Sequence, residues 1–196
     1  MLSGKEISKR RKVSFWKRFL YKIVRNPRFL LPDIVLDPFD EKYCGPNSYD
    51  LHLGDELLFY KPGLELPAKD ENATIKVVIP PDGYILQPGD FCLASTVEYT
   101  ETRNLVPMLQ GRSSVGRMGV QIHMVAGFGD IGFCGRWTLQ LKNLSNNPVR
   151  LIPNMKIAQL HYEPVGRDHI LYAGKYSGSK GATASRLYKD IVDGTM

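Results

Sequence analysis

The chain of 196 residues is 43% hydrophobic and 23% charged, with a mean hydropathy of −0.23, which is typical of one globular domain with short appendages. It has no apolar run of about 18 residues and no secretory leader, so we expect a cytoplasmic protein rather than a membrane-spanning or secreted one. The three cysteines, Cys44, Cys92 and Cys134, are odd in number and widely spaced, which argues against a disulfide framework.

The positive charge of the chain is concentrated at its N-terminus. Residues 1–30 carry ten of the 26 basic residues and one of the 20 acidic residues, which leaves 16 basic against 19 acidic residues in the remainder. The net charge of +6 therefore belongs to the N-terminal segment, and the body of the protein is mildly acidic. Because duplex binding needs a basic surface, we expect no specific nucleic-acid binding by the body.

We assign residues 1–31 to a basic, helical N-terminal segment. Ser3 and Glu6 have the spacing of a capping box, which predicts a helix that begins at residue 4. Further on, the pattern predicts a basic amphipathic helix that ends near Pro27. Its apolar residues are Trp16, Phe19, Leu20 and Ile23. We interpret this helix as docking on the protein's own body or on a neighbouring subunit, with contact to a membrane surface or nucleic acid as the less favoured alternative.

The sequence of residues 32–173 predicts an all-β domain. Short apolar runs alternate with turns rich in Pro and Gly, and little helix separates them, which is typical of a barrel or a sandwich. One short helix is predicted around residues 113–118. The predicted strands are 49–53, 56–60, 74–79, 84–86, 91–99, 120–125, 136–141, 149–152 and 156–163.

The last residues, 174–196, are predicted to form a C-terminal tail. Residues 174–181 are rich in Gly and Ser and contain Lys175 and Lys180. Such a composition buries little apolar surface, so we expect a mobile basic tail rather than an element of the core.

The segment GRSSVGRMG, residues 111–119, is a candidate phosphate-binding loop. It places two arginines, two serines and three glycines within nine residues after an apolar strand. Arginine forks, serine hydroxyls and backbone N–H groups of a glycine-permitted turn all suit an anion. A plain surface loop is the alternative, and the segment is not a Walker A loop.

The pattern of histidines and cysteines argues against a zinc enzyme. A zinc nucleobase deaminase needs H-x-E and P-C-x-x-C motifs, and the chain contains neither of them. The four histidines share no ligand spacing, and Cys134 has no clear histidine partner for nucleophilic catalysis.

Six motifs in a shared order resemble those of the dCTP deaminase and dUTPase superfamily. In chain order they are MLSGKEI, GPNSYDLHLGDEL (45–57), GRSSVGRMG, VAGFGDIGFCGRWTLQLKN (125–143), MKIAQLHYEP (155–164) and KYSGSKGATASRLYKD (175–190). The first, second and last resemble the deaminases in particular. The resemblance implies a homotrimer of distorted β-barrels, with active sites between subunits that take a pyrimidine deoxynucleoside triphosphate and its bound Mg²⁺.

The resemblance also implies roles for individual residues. Asp130 matches the aspartate that holds the sugar 3′-hydroxyl and, in the pyrophosphatases, orients the attacking water. Arg117 would support the reacting centre, and Ala126 lies in a segment similar to that of members that hydrolyse dUTP. The other residues matched to substrate contacts are Arg112, Ser113, Ser114, Gln159, Lys175, Tyr176 and Lys180, of which the last three would close over the nucleotide. No direct protein ligand to the metal is implied.

Gln140 is the main departure from the family pattern. Strand alternation places Gln140 and Thr138 on one face, and the resemblance implies a glutamate at position 140 in the deaminases. A carboxamide cannot cycle a proton near neutral pH, so deamination loses its general acid/base at this catalytic position. A second departure is Ser179–Lys180, where the deaminases commonly carry glutamines.

Three functions follow from these observations. We favour a dUTP pyrophosphatase that forms dUMP and pyrophosphate, because Asp130 and the cationic phosphate contacts are present. The first alternative is a dCTP deaminase, monofunctional or bifunctional, or an engineered Glu-to-Gln form of one. The second alternative is a non-catalytic nucleotide-binding regulator.

Overall fold

Antiparallel strands dominate the computed structural model, which describes residues 1–11, 32–67, 73–124, 127–166 and 168–192. The strands are β1 (Ile34–Asp37), β2 (Tyr49–Tyr60), β3 (Thr74–Val78), β4 (Tyr84–Leu86), β5 (Phe91–Thr102), β6 (Leu105–Gly111), β7 (Val120–Gln121), β8 (Cys134–Asn143), β9 (Val149–Leu151) and β10 (Lys156–Pro164). The helices are α1 (Gly4–Arg11), α2 (Ser113–Gly116) and α3 (Leu187–Val192), with a 3₁₀ turn at Glu41–Tyr43. The predicted all-β fold is confirmed.

Eight of these strands form one nearly closed, barrel-like sheet. Its order is β6-β10-β2-β5-β8-β7, with β1 added on β5 and β3 added on β2. Strands β4 and β9 form a separate two-stranded sheet. The long strands β2 and β5 each pair with several partners, and register shifts along them let the sheet curve around the core.

Strand β2 joins two segments that the sequence predicts as separate strands. Gly54 lies at the junction, and a Cβ atom there would be 2.8 Å from the Ser95 Oγ atom on β5. The register with β5 shifts between Leu53 and Leu57, so the strand continues through a bulge instead of ending at a turn.

Three other strands differ from the predictions. Strands β1 and β6 are absent from the predicted set, and the predicted strand 120–125 shortens to β7 at Val120–Gln121. After β7 the chain leaves the ladder, although the Ile122 carbonyl still accepts a hydrogen bond from the Gln140 N–H at 2.9 Å. Residue 125 lies outside the described part of the chain.

The apolar alternation along the strands produces the core. On β10, for example, Leu160 and Tyr162 are fully buried, whereas Gln159 and His161 are half-buried on the other face. Each fully buried large apolar side chain stabilises the fold by about 1.5–3 kcal/mol relative to an exposed one. The same alternation on β8 buries Trp137 and turns its neighbours toward the site described below.

The N-terminal capping box is confirmed. Ser3 Oγ donates to Glu6 Oε2 at 2.9 Å, the Glu6 N–H donates to Ser3 Oγ at 3.3 Å, and helix α1 begins at Gly4. Ile7 of this helix is fully buried, and the Leu2 N–H donates to the Tyr162 carbonyl, so the helix packs on the barrel. The predicted amphipathic helix lies outside the described residues.

The C-terminal tail lies along β8 and ends in helix α3, which the sequence does not predict. The Gly178 N–H donates to the Cys134 carbonyl at 2.7 Å, and the Arg136 N–H donates to the Ser179 carbonyl at 2.8 Å. A Cβ atom on Gly135 would lie 2.9 Å from the backbone of Ser179, so the tail approaches the strand closely where glycine leaves space. The mobility of the tail stays a prediction, as does the division of the chain into segments 1–31, 32–173 and 174–196.

No helix among the residues with described positions is both long and apolar enough to cross a membrane.

Candidate functional site

A cavity of about 530 Å³ lies between strand β8, the turn that precedes it and the C-terminal tail. Its volume is within the range of small-molecule sites. The polar residues that line it from strand β8 and the preceding turn are Asp130, Arg136, Thr138 and Gln140, and the tail adds Ser179, Thr183 and Ser185. Aromatic rings form much of the remaining wall: Tyr60, Phe91, Phe128, Phe133, Trp137, Tyr172 and Tyr176. We call this the aromatic cavity; its walls suit a flat heterocycle with polar substituents.

Asp130 is held at the edge of the aromatic cavity by a tight turn. The Gly129 N–H donates to the Pro107 carbonyl on β6 at 2.9 Å, and the Phe133 N–H donates to the Asp130 carbonyl at 3.1 Å. A Cβ atom on Gly129 would lie 2.3 Å from the Trp137 ring, so this position is closed to larger residues. Asp130 is an exposed residue, so its carboxylate can contact a ligand and water.

Gly127 in the same segment has a structural role. A Cβ atom there would lie 2.5 Å from the carbonyl oxygen of Leu109, and the Leu109 N–H donates to the Gly127 carbonyl at 2.7 Å. The close approach to β6 explains why this position is a glycine.

Gln140 lies at the centre of β8, opposite Leu93 of β5. Its Oε1 atom accepts a hydrogen bond from the backbone N–H of Met124 at 3.3 Å. Its Nε2 group has no acceptor among the residues that the structure describes, and the side chain lines the aromatic cavity. The strand face predicted for Gln140 and Thr138 is therefore the face that lines this cavity.

His123 is a site residue that the sequence does not single out. Both of its ring nitrogens are buried and have no hydrogen-bond partner in the described part of the chain. Burial lowers the pKa of His123 to about 4, so the imidazole is neutral at physiological pH. The spacing of the histidines in the sequence does not indicate that His123 is enclosed, because the enclosure depends on strands that are distant in sequence.

A second cavity of about 530 Å³ contains part of the predicted phosphate loop. Arg112 and Ser113 line it, and His123 and Phe128 line both cavities. We call it the loop cavity. The backbone N–H groups of Ser113 and Ser114 have no acceptor among the described residues, which leaves them available to an anion.

Arg112 is held by a carboxylate that the sequence does not single out. Its Nη1 atom lies 3.0 Å from Oδ2 of Asp50, and Lys156 Nζ lies 3.1 Å from the same oxygen. Asp50 is on β2, and its side chain is 15% exposed, so the arrangement orients two cations beside the loop cavity. In the sequence, Asp50 lies within the motif GPNSYDLHLGDEL, between the apolar residues Tyr49 and Leu51.

Most of the remaining predicted site residues lie outside both cavities. Tyr176 lines the aromatic cavity, whereas Lys175 forms an ion pair with Asp190 in helix α3, and hydrogen bonding to that carboxylate raises the Lys175 pKa. Ala126 lies outside the described residues. Lys175 lines neither cavity, and the same holds for Ser114, Arg117, Gln159 and Lys180.

Comparisons with known proteins agree with this architecture. The sequence model of the dCTP deaminase-like family matches residues 28–165. A protein of Clostridium acetobutylicum named dCTP deaminase, dUMP-forming, is 48% identical over 162 residues, which cover 82% of this chain and 92% of that protein. A protein of Hathewaya histolytica with the same name is 42% identical over 192 residues, 97% of this chain and 99% of that protein.

A solved structure shows the same fold. The crystal structure of 2′-deoxycytidine 5′-triphosphate deaminase from Agrobacterium tumefaciens superposes with a TM-score of 0.53 and 19% identity, over 68% of this chain and 44% of that chain. The match to the family's sequence model and the similarity to the two named relatives confirm the family resemblance expected from six sequence motifs. The chain belongs to the dCTP deaminase-like family.

Proposed function

We propose that the protein binds a pyrimidine deoxynucleoside triphosphate and converts it to dUMP. The observation that carries this proposal is the similarity of 42–48% identity to enzymes named dCTP deaminase, dUMP-forming, over more than nine-tenths of their length. These names favour the deaminase alternative over the sequence-based preference for a dUTP pyrophosphatase.

Formation of dUMP from dCTP consists of two hydrolytic steps. In one, water replaces the 4-amino group of the base and ammonia leaves. In the other, water attacks the α-phosphorus and pyrophosphate leaves. The second step needs an oriented water and positive charge near the phosphates, which Asp130, Arg112 and the N–H groups of Ser113 and Ser114 can supply.

The expected Mg²⁺ would enter with the triphosphate. Within the described ranges, no group of three or more His, Cys, Asp or Glu side chains is arranged to hold a metal ion. Phosphate oxygens are hard ligands that suit Mg²⁺, so the nucleotide itself would provide its main ligands. The metal therefore stays part of the proposal, as a component of the substrate.

A dUTP pyrophosphatase without deaminase activity is the second candidate, and Gln140 favours it. The deamination step needs a group that takes a proton from water and gives one to the departing ammonia. The Gln140 amide lacks this capacity. The imidazole of His123, which lines the same cavity, is neutral at physiological pH. We expect pyrophosphate release to be faster than deamination.

The homotrimer is also a proposal. Phe128 is 65% exposed and Met124 is 51% exposed beside the loop cavity, so apolar surface is open there in the single chain. Burial of these side chains between subunits would remove that surface from water. Light scattering after size-exclusion chromatography would measure the mass, and a monomer at micromolar concentration would contradict the trimer.

The test of the proposed function is a product analysis. The protein is incubated with Mg²⁺ and either dUTP or dCTP, and nucleotides and ammonia are quantified after separation. dUMP from both substrates supports the full reaction, and dUMP from dUTP alone supports the second candidate. If neither nucleotide yields dUMP, the proposal is wrong.

Variants of two acidic residues make this test specific. Asp130→Asn is expected to lower dUMP formation by about 10²- to 10⁴-fold, because it removes the carboxylate at the cavity edge. Asp82→Asn makes the same change in an exposed turn and should leave the rate unchanged. An equal effect of the two substitutions would contradict the role of Asp130.

A further inference from the structure

We propose that Gln140 makes the aromatic cavity selective for a pyrimidine with an oxygen at position 4, which is uracil, over one with an amino group there, which is cytosine. This inference rests on the proposed function only in taking a pyrimidine nucleotide as the ligand. It concerns base selection at binding, which is independent of whether deamination takes place.

The orientation of the Gln140 amide is set by the backbone. The Met124 N–H is a donor only, so the atom 3.3 Å from it must be the oxygen of the amide. The Gln140 N–H is itself bonded to the Ile122 carbonyl at 2.9 Å, which fixes the strand beside the Met124 segment. A flip of the amide would place two donors against each other and is disfavoured.

The consequence is that Gln140 presents donors to the cavity. Because Oε1 accepts the hydrogen bond from Met124, the Nε2 group is the part of the amide that is available to a ligand. It has no acceptor among the described residues. A ligand atom that meets this group in a cavity sheltered by aromatic rings must be an acceptor, because an unpaired buried donor destabilises the complex.

The walls around Gln140 are consistent with a flat ring at this position. Leu93, which pairs with Gln140 across the strands, is 5% exposed, and Phe91 precedes it on the same side of β5. The Phe133 and Trp137 rings, which pack with centroids 5.3 Å apart, also line the cavity. These apolar surfaces cover the faces of a ring, and the polar edge of the ring is then read by side chains such as Gln140.

The two pyrimidines differ at the atom that such an amide would contact. Uracil has a carbonyl oxygen at position 4, which accepts a hydrogen bond from Nε2. Cytosine has an amino group there, and two donors would face each other. His123 lines the same cavity, but a neutral imidazole can offer either a donor or an acceptor, so it does not discriminate between the bases.

Discrimination of this kind is large enough to measure. Leaving one buried donor unsatisfied corresponds to roughly a tenfold to hundredfold loss of affinity. We therefore expect the uracil nucleotide to bind about ten to a hundred times more tightly than the cytosine nucleotide. A glutamate at position 140 would present an acceptor to the cavity while its other oxygen kept the Met124 hydrogen bond.

The test measures binding without turnover. The α,β-imido analogues of dUTP and dCTP are titrated with Mg²⁺ into the wild-type protein and into Gln140→Glu, and dissociation constants are obtained by calorimetry. We expect the wild type to prefer the uracil analogue and Gln140→Glu to lose or invert that preference. Gln87→Glu, the same change at an exposed turn, should keep the wild-type ratio.

The possible failures are distinguishable. Equal binding of the two analogues to the wild type, or a ratio unchanged in Gln140→Glu, overturns the selectivity of Gln140 and leaves the proposed function intact. If neither analogue binds the wild type, pyrimidine nucleotide recognition fails, and both proposals are overturned together. The comparison within the wild type holds even if the variant does not fold.

Discussion

The enclosed imidazole of His123 predicts a specific dependence of stability on pH. Both ring nitrogens are buried without partners, and burial lowers the pKa from its usual 6.5 to about 4 in the folded state. The unfolded chain therefore binds a proton at higher pH than the folded chain does. Folding loses stability as the pH falls below about 6.5, and the loss reaches its full extent below about 4.

The size of the effect follows from the shift in pKa. Each unit corresponds to about 1.4 kcal/mol, so the His123 contribution to the free energy of unfolding falls by about 3 kcal/mol between pH 7 and pH 4. The residue is partly exposed as a whole, but the nitrogens that carry the charge are enclosed, so solvent screening of this effect is small.

The assay is urea unfolding at pH 7, 5 and 4 for the wild type, His123→Gln and His161→Gln. Carboxylates also titrate in this range, so the informative quantity is the difference in slope between a variant and the wild type. His123→Gln should reduce the fall in the free energy of unfolding between pH 7 and pH 4 by about 3 kcal/mol. His161→Gln, a substitution on β10, should leave that fall unchanged. Parallel curves for His123→Gln and the wild type would refute the enclosure of a neutral imidazole.

Two further predictions concern the ends of the chain. Gly135→Ala would place a methyl group 2.9 Å from the Ser179 backbone, so we expect the tail to leave β8, with a higher KM for dUTP and faster cleavage of the tail in limited proteolysis. The control is Gly181→Ala, at a position with open space around it. Equal rates of proteolysis in the two variants would contradict the docking of the tail on β8. Ser3→Ala removes the cap of α1 and should lower the free energy of unfolding by about 1 kcal/mol in thermal or urea unfolding, whereas no change would mean that α1 contributes little to global stability.

Local sequence signals predict many of the elements well. The two-residue alternation identifies β4 and most of β5, β8 and β10, and the capping box identifies the first residue of α1. These signals succeed because they depend on residues that are close together in the chain. Alternation also predicts that Gln140 and Thr138 share a face, and the structure places both in the aromatic cavity.

Features that depend on tertiary pairing are harder to predict. Strand β6 contains Pro107, which usually argues against a strand, but β6 is the end strand of the sheet order and pairs only with β10 among the described strands. Helix α3 lies where a tail of low complexity is expected; its Asp190 pairs with Lys175, a contact that 15 residues separate in sequence. Neither partner indicates this pairing by itself.

The two cavities explain why the candidate site is only partly visible in the sequence. Motif order identifies the phosphate loop and the Asp130 turn, yet the structure places Arg112 and Ser113 in one cavity and Asp130 and Gln140 in the other. A triphosphate bound in the aromatic cavity can reach phosphate donors either past the His123 wall or from the loop of a neighbouring subunit. In the proposed homotrimer, with its active sites between subunits, we expect the second route. In that arrangement Asp50, which pairs with both Arg112 and Lys156 on one barrel, would orient the phosphate contacts for the cavity of another barrel.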